Sequence, residues 1–212
     1  MRSVDGLKRL LHEYSIEPDS DSGLKLQTYL SLLEKWNRHI NLTSNIGWFS
    51  LEPLFHEGIW AAARYPADCK THLDIGSGGG FPAIILKLFN TQIELDLVES
   101  RAKKCAFLET VVFELELKRV RIRMMRLENL LASCDQELKT WDCVSWKAVR
   151  LTNRDLQRLY DKSSKKTQLW MFHGTGTPVE DARVFFDKFA IIDKLPVHGL
   201  KKSFLSILRP VK

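Results

Sequence analysis

Four glycines crowd the stretch HLDIGSGGGFPAIIL, residues 72–86, between one apolar run and the next. Gly76, Gly78, Gly79 and Gly80 follow Asp74 and precede Phe81 and Pro82. The pattern predicts a strand, a tight turn and a helix whose first turn starts at the proline. In an open parallel sheet such a turn lies at the carboxyl edge, where ligands bind. Absent side chains let a ligand approach the main chain, and a helix start supplies unpaired N–H donors. The loop therefore predicts a cofactor site. A second acid supports it: IELDLVES ends its apolar run at Glu99, 19 residues beyond Gly80. There a carboxylate is placed to accept both hydroxyls of a ribose. The plainer readings are a solvated strand end for Glu99 and a polar strand terminus for Asp74.

Spacing narrows the cofactor. The dinucleotide fingerprint G-x-G-x-x-G, counted from Gly76, requires a glycine at position 81, which is Phe81. A nicotinamide-dependent oxidoreductase is disfavoured on that ground. The observed D-x-G-x-G-x-G, from Asp74 through Gly80, resembles the first motif of Rossmann-like methyltransferases that use S-adenosylmethionine. On that resemblance Asp74 belongs near the methionine end of the cofactor and Glu99 at the ribose.

The elements that must position these residues are legible along the chain. LKLQTYLSLLEKW, residues 24–36, places Leu26, Tyr29, Leu30, Leu33 and Trp36 on one helical stripe. With VDGLKRLLHEY before it and FSLEPLFHEGIWAAARY after it, the first third reads as helical. From residue 71 the runs THLDI, IELDLV, VRIRMM, WDCVSW and QLWMF are short and β-rich, separated by stretches long enough for helices. This alternation predicts an α/β fold: a mainly parallel, Rossmann-like sheet covered on both faces. FAIID and SFLSIL, joined by KLPVHGLKK, are close enough to pair antiparallel at an edge. A helical extension over residues 1–66 and a sheet domain over 67–212, packed as one unit with one core, is the expected organisation. In PDSDSG, Ser22 or Asp21 is the expected cap of the long helix. GTGTP, residues 174–178, is expected to end a strand, with Pro178 opening the next helix.

Composition bounds the function. The 212-residue chain carries a formal net charge of +6, concentrated in two basic runs, residues 101–126 and 147–166. Such runs hold a polyanion by neutralising phosphates, or form a solvated surface. No run of eighteen apolar residues exists and the N-terminus is charged and amphipathic, so a soluble, unprocessed chain with no membrane partner is expected. Cys69, Cys105, Cys134 and Cys143 are widely spaced, without C-x-x-C or H-x-x-x-H. Neither a metal site nor a disulfide framework is expected, which favours the cytoplasm.

KWNRHINLTS, residues 35–44, ahead of such a glycine loop resembles the RsmG (GidB) family of bacterial 16S ribosomal RNA guanine-N7 methyltransferases. ESRAKKCAFLE, MRLENL, the HG ending the fifth strand and the closing KKSFLSILRP extend the resemblance over most of the chain. It implies that S-adenosylmethionine is the cofactor and that ribosomal RNA or the small ribosomal subunit is the partner; a monomer is the expected state. It further implies that Gly76, Gly78 and Phe81 line the cofactor site, that Leu127 and Glu128 flank the adenine, and that Arg126 acts in the active site. Trp146 and Lys147 stand where the family carries a serine and an arginine, Lys202 where it carries another arginine, and His173 where it carries a lysine. His56 survives from the family's R-H-x-x-D-S. Asn41 and His56 become substrate-side candidates, with a turn cap and a packed histidine as the plainer roles. Trp36 is most simply core, and Trp146 either stacks on a base or fills space.

Guanine N7 carries a lone pair, so its methylation needs no general base, only alignment and exclusion of water. Arg126, Lys147 and Lys202 are the catalytic candidates, able to hold the O6 edge and phosphates, with Lys147 also touching the cofactor. A non-catalytic RNA-binding or assembly factor that keeps the cofactor fold is the competing reading, supported by the altered substrate-side residues.

Overall fold

The computed structural model describes residues 3–132, 140–175 and 187–212. Three helices come first: α1 (Ser3–Glu13), α2 (Asp21–Asn37) and α3 (Trp48–Ala62). Strands and helices then alternate through β1 (Thr71–Ile75), α4 (Ala83–Phe89), β2 (Glu94–Glu99), α5 (Ala102–Glu114), β3 (Val120–Met124), α6 (Leu127–Ala132), β4 (Cys143–Lys147), α7 (Asn153–Lys162) and β5 (Gln168–Gly174). β6 (Phe189–Pro196) and β7 (Ser203–Pro210) close the chain. The helix expected at Pro178 and the residue Cys134 lie outside the described residues.

One sheet of order β3-β2-β1-β4-β5-β7-β6 results, with β1 to β5 parallel and β7 antiparallel to β5 and β6. The last two strands pair as the short connection demands, but it is β7 that inserts against β5. Leu205 and Leu208 of β7 are fully buried, whereas β6 from Ala190 to Lys194 is exposed. Asp193, Lys194 and Pro196 are edge-strand residues, so β6 takes the rim.

Side chains alternate along each buried strand, so each divides its apolar residues between two layers. Leu73 and Ile75 of β1 join a cluster with Leu130 of α6 and Leu156 and Leu159 of α7. Leu95 and Leu97 of β2 face the other way, in a cluster built from α1 to α5. A third cluster holds Trp60, Tyr65, Trp170 and Leu205. The single expected core is thus three clusters, because a sheet covered on both faces separates its two apolar sides.

The N-terminal helices lie behind the glycine loop. The α2 stripe is buried at Leu26, Tyr29, Leu30 and Leu33, while Trp36 is half-buried with its ring 5.8 Å from that of Phe107. The cap of α2 is Ser20, not Ser22 or Asp21: its hydroxyl accepts the Gly23 N–H at 3.2 Å while its own backbone is still extended. The expected candidates lie one and two residues too late, inside the first turn of the helix. Gly58 brings α3 close to α4, since a Cβ there would stand 2.6 Å from Ile85 Cδ1.

From this helical layer the Tyr29 hydroxyl donates to Gly79 O at 2.5 Å in a fully buried position. Tyr29→Phe leaves that carbonyl without its partner, and unfolding in urea should show a loss of about 1–3 kcal/mol. A midpoint equal to that of the parent chain would show that the bond does not hold the loop.

Candidate functional site

The glycine loop connects β1 to α4 and is shaped by its own contacts. Gly76, Gly78 and Gly80 have φ of +68°, +56° and +88°, the left-handed region that favours glycine. A Cβ on Gly76 would stand 2.5 Å from Val149 Cγ2, and one on Gly80 would stand 2.6 Å from Ile84 Cγ1. At Gly78 the nearest atoms would be Gly76 O at 3.6 Å and Lys104 Nζ at 3.7 Å, so a Cβ there would make only ordinary contacts. The amides of Gly76 and Ser77 donate to Val98 O, that of Gly78 to Glu99 Oε2 at 3.0 Å, and that of Gly80 to Ser77 O. The expected unpaired donors are therefore already used at these four positions. Three of these amides tie the loop to β2 and one closes it on itself, and what it presents outward is main chain and a fixed carboxylate.

Glu99 ends β2. Its Oε2 takes the Gly78 amide and its Oε1 the Arg101 amide at 2.8 Å, and the residue is only 7 % exposed. This clamp joins the turns after β1 and β2.

Three cavities adjoin along the carboxyl ends of the strands. The first, of about 710 Å³, is bordered by Glu99, Arg126, Leu127, Glu128 and Arg150. The second, of about 530 Å³, lies over the loop and is bordered by Thr43, Gly78, Phe81, Lys104 and Lys147. Gly76, Glu99 and Arg101 line both. The third, of about 240 Å³, is bordered by Glu57, Trp146, Lys147, Phe172 and His173. Lys147 and Ala148 are shared by the second and third, and Val149 lines all three. Ala148 has φ +54°, strained for a residue with a Cβ. That kink follows Lys147 and sits where the second and third cavities meet.

The expected site residues are not all brought together. Gly76, Gly78, Phe81 and Glu99 meet at the loop, with Leu127 and Glu128 beyond Glu99. Arg126 lies with them in the first cavity, whereas Lys147 lies in the other two. Lys202 is exposed at the start of β7, where its carbonyl accepts the Thr175 amide beside the third cavity. Trp146 is buried among the apolar residues between β4 and α6 and also forms part of the third cavity's wall.

Asp74, Asn41 and His56 line none of the three. Asp74 is buried beneath the loop, 2 % exposed, because its strand position faces the interior. Asn41 is exposed, and the turn it was expected to tie is held by Asn37, whose Oδ1 accepts the amides of Leu42 and Thr43. His56 packs between the Tyr14 hydroxyl, 3.0 Å from Nδ1, and Gly199. Burial pulls its pKa down, with Glu13 opposing.

Two residues were not anticipated. Lys104, read only as part of a basic run, lines the loop cavity. Glu57, one step past His56 on the helix, is 2 % exposed and forms an ion pair with Lys147. Burial raises its carboxyl pKa while the Lys147 ammonium opposes the rise. A carboxylate inside LFHEGIWAA, apolar apart from it and His56, was the available signal.

A chain of polar groups runs under the loop between β1 and β4. His72 Nδ1 lies 3.0 Å from the Tyr65 hydroxyl and its Nε2 lies 2.8 Å from Ser145 Oγ, which donates to Asp74 Oδ1 at 2.5 Å. Burial pushes Asp74 up to about 7, against hydrogen bonds from Ser145 and Ser77, and pulls His72 down to about 3. Among the described residues no group of three or more His, Cys, Asp or Glu could hold a metal ion, and no helix is long and apolar enough to cross a membrane.

Solved structures share this architecture. A putative O-methyltransferase from Klebsiella pneumoniae matches with a TM-score of 0.60 at 15 % identity, covering 88 % of this chain and 89 % of that one. A variant of MtNAS in complex with S-adenosylmethionine matches at 0.56 and 13 % identity, covering 97 % and 83 %. The fold is therefore that of the Rossmann-like methyltransferases.

The sequence is more specific. The GidB model, rRNA small subunit methyltransferase G, matches residues 23–191. A Wolinella succinogenes protein named Ribosomal RNA small subunit methyltransferase G is 30 % identical over 171 residues, 81 % of this chain and 85 % of its own. One of the same name from Desulfitobacterium hafniense is 37 % identical over 139 residues, 64 % of this chain and 56 % of its own. The chain belongs to the GidB family. Matches to that relative and to one from Halorhodospira halophila span only 56 % and 59 % of those proteins.

The buried polar chain has a pH signature. Asp74, raised from 3.8 to about 7, holds its proton more tightly when folded, so its contribution to stability falls as pH rises through that window. His72, lowered from 6.5 to about 3, stays neutral when folded, so its contribution falls as pH drops below 6.5. The two slopes oppose each other between about pH 4 and 6.5. Asp74→Asn removes one of them, and urea unfolding at pH 4.5, 5.5 and 6.5 should then show stability rising with pH more steeply than in the parent. Parallel profiles would exclude an elevated Asp74.

Proposed function

We propose that this chain transfers a methyl group from S-adenosylmethionine to N7 of a guanine in small-subunit (16S) ribosomal RNA, acting in the bacterial cytoplasm as a monomer. The observation that carries the reading is the run of three adjoining cavities with Glu99 clamped between the first two and Lys147 between the last two. An elongated adenosine-bearing donor fits this layout. A fixed, nearly buried carboxylate suits a ribose, and Gly78, which borders the loop cavity, admits a ligand where a Cβ would project. Family membership and a fold match that binds the same cofactor support the assignment.

When bound, S-adenosylmethionine supplies a sulfonium methyl group that is already an activated electrophile. The residues of this chain have the remaining tasks. Glu99 orients the ribose with its remaining lone pairs, and Leu127 and Glu128 flank the adenine beside Arg126. Lys104 and Arg101 provide cationic contacts at the loop, and Asp74 supports the loop from below. Lys147 stands at the passage between donor and acceptor cavities, where it can hold the acceptor base without taking a proton from it. Arg126, Arg150 and Lys202 provide positive charge for RNA phosphates around this path.

Calorimetry should show binding of S-adenosylmethionine and none of NADH. Gly78→Asp keeps a residue that tolerates positive φ but puts a carboxylate into the loop cavity near Glu99, and should lower affinity at least about a hundredfold. Normal binding by that variant would misplace the site. Lys147→Ala should chiefly slow transfer, leaving the cofactor Kd within about threefold. In a deletion strain, mass spectrometry of 16S ribosomal RNA should show one 7-methylguanosine lost. No change at any mapped position would refute the target, and cofactor binding without transfer to any RNA would favour the assembly-factor reading.

A further inference from the structure

The third cavity has the composition of a base pocket: apolar and aromatic walls from Trp146, Met171 and Phe172, with few polar groups converging on it. Two of those polar groups are Glu57 and Lys147, joined to each other. The Glu57 side chain is 3 % exposed and that of Lys147 26 %. A buried ion pair adds little net stability over an apolar pair of the same size. It does something such a pair cannot: it sets an acceptor beside a donor on the wall of the cavity.

We propose that Glu57 and Lys147 together read the Watson–Crick edge of a guanine seated in the third cavity, and that their order along that edge turns N7 toward the loop cavity. The assignment rests on the methyl-transfer reading above and deepens it. Guanine presents the O6 acceptor next to the N1–H and 2-amino donors. A lysine ammonium has three donors, so Lys147 can keep Glu57 and still donate to O6. A carboxylate has lone pairs enough to accept N1–H and the 2-amino group while held by Lys147.

The order matters because Lys147 lines both the loop cavity and the third cavity, whereas Glu57 lines only the third. With O6 at Lys147, N7 lies beyond O6 on the side of the loop cavity, where the methyl donor is placed. Adenine presents the reverse order, a 6-amino donor beside the N1 acceptor. Satisfying the same pair puts its 6-amino group at Glu57 and turns its N7 away from the donor. The pair therefore selects both the base and the ring nitrogen. Glu57 is a specificity residue that the family resemblance does not supply, since it stands between His56 and the Ile59–Trp60 pair that replaces the family's aspartate and serine.

The test is methyl transfer from radiolabelled S-adenosylmethionine to 16S ribosomal RNA transcribed in vitro with either guanosine or inosine, which lacks the 2-amino donor. The parent chain should show kcat/KM about tenfold higher on the guanosine transcript. In Glu57→Gln and in Glu57→Ala that ratio should fall toward one, with the S-adenosylmethionine Kd unchanged by calorimetry. A parent ratio near one, or the same ratio in parent and variant, overturns the base-reading role while leaving methyl transfer standing. The first of these results requires no variant to fold. Absence of transfer by the parent chain to the guanosine transcript, both free and reconstituted into small ribosomal subunits, overturns the functional reading itself, together with this assignment.

Discussion

The Glu99 carboxylate accepts one amide from the loop after β1 and one from the turn after β2. Each bond is charge-assisted, the kind worth about 1.5–3 kcal/mol. Both ends of the clamp are main chain, so it holds the loop backbone itself at a set distance from the sheet. The first and second cavities meet at this carboxylate, and their shape depends on it. In the proposed reading the same group would serve both stability and recognition, because a carboxylate anchored by two amides still has lone pairs for a ligand.

What stands behind the loop matters as much. Tyr29 reaches Gly79 from α2, and Phe81 packs its ring against Tyr29 and Phe55 at centroid distances of 5.2 and 5.3 Å. The N-terminal helices thus form the rear wall of the site and share an apolar cluster with α4, α5 and β2. Gly80 cannot bear a side chain although it does not face the cavity, because a Cβ would run into Ile84 of α4 and crowd the Tyr29 hydroxyl.

Electrostatics at the carboxyl edge is more selective than a net charge of +6 suggests. Part of the basic charge is paired within the protein: Arg121 and Arg123 bond to Asp96, and Lys147 to Glu57. Burial drives Asp96 upward, yet hydrogen bonds from Arg121, Trp141 and Arg123 hold its pKa below the ordinary carboxylate value. Arg101, Lys104, Arg126, Arg150 and the paired Lys147 line the cavities. Cationic character is thereby concentrated where a nucleotide donor and a polyanion would meet.

The strand runs, their parallel order and the glycine turn were legible in the sequence because they rest on local rules: period-2 burial, helix-length spacers and positions where φ is positive. That Glu99 and the loop share one edge was legible too, since consecutive parallel strands bring their carboxyl ends together, but its bond to the Gly78 amide was not. Residue type alone left Asp74, Asn41 and His56 open between a site role and a structural one. Which face of a strand or helix a side chain takes depends on what packs there, and Asp74 turned inward, Asn41 outward and His56 toward Tyr14. The insertion of β7 ahead of β6, the meeting of Glu57 with Lys147 across ninety positions, and the separation of Arg126 from Lys147 into different cavities were decided only by the tertiary structure. Contacts between residues that distant in the chain leave no periodic trace, because they are set by how the helical layer and the sheet pack against one another.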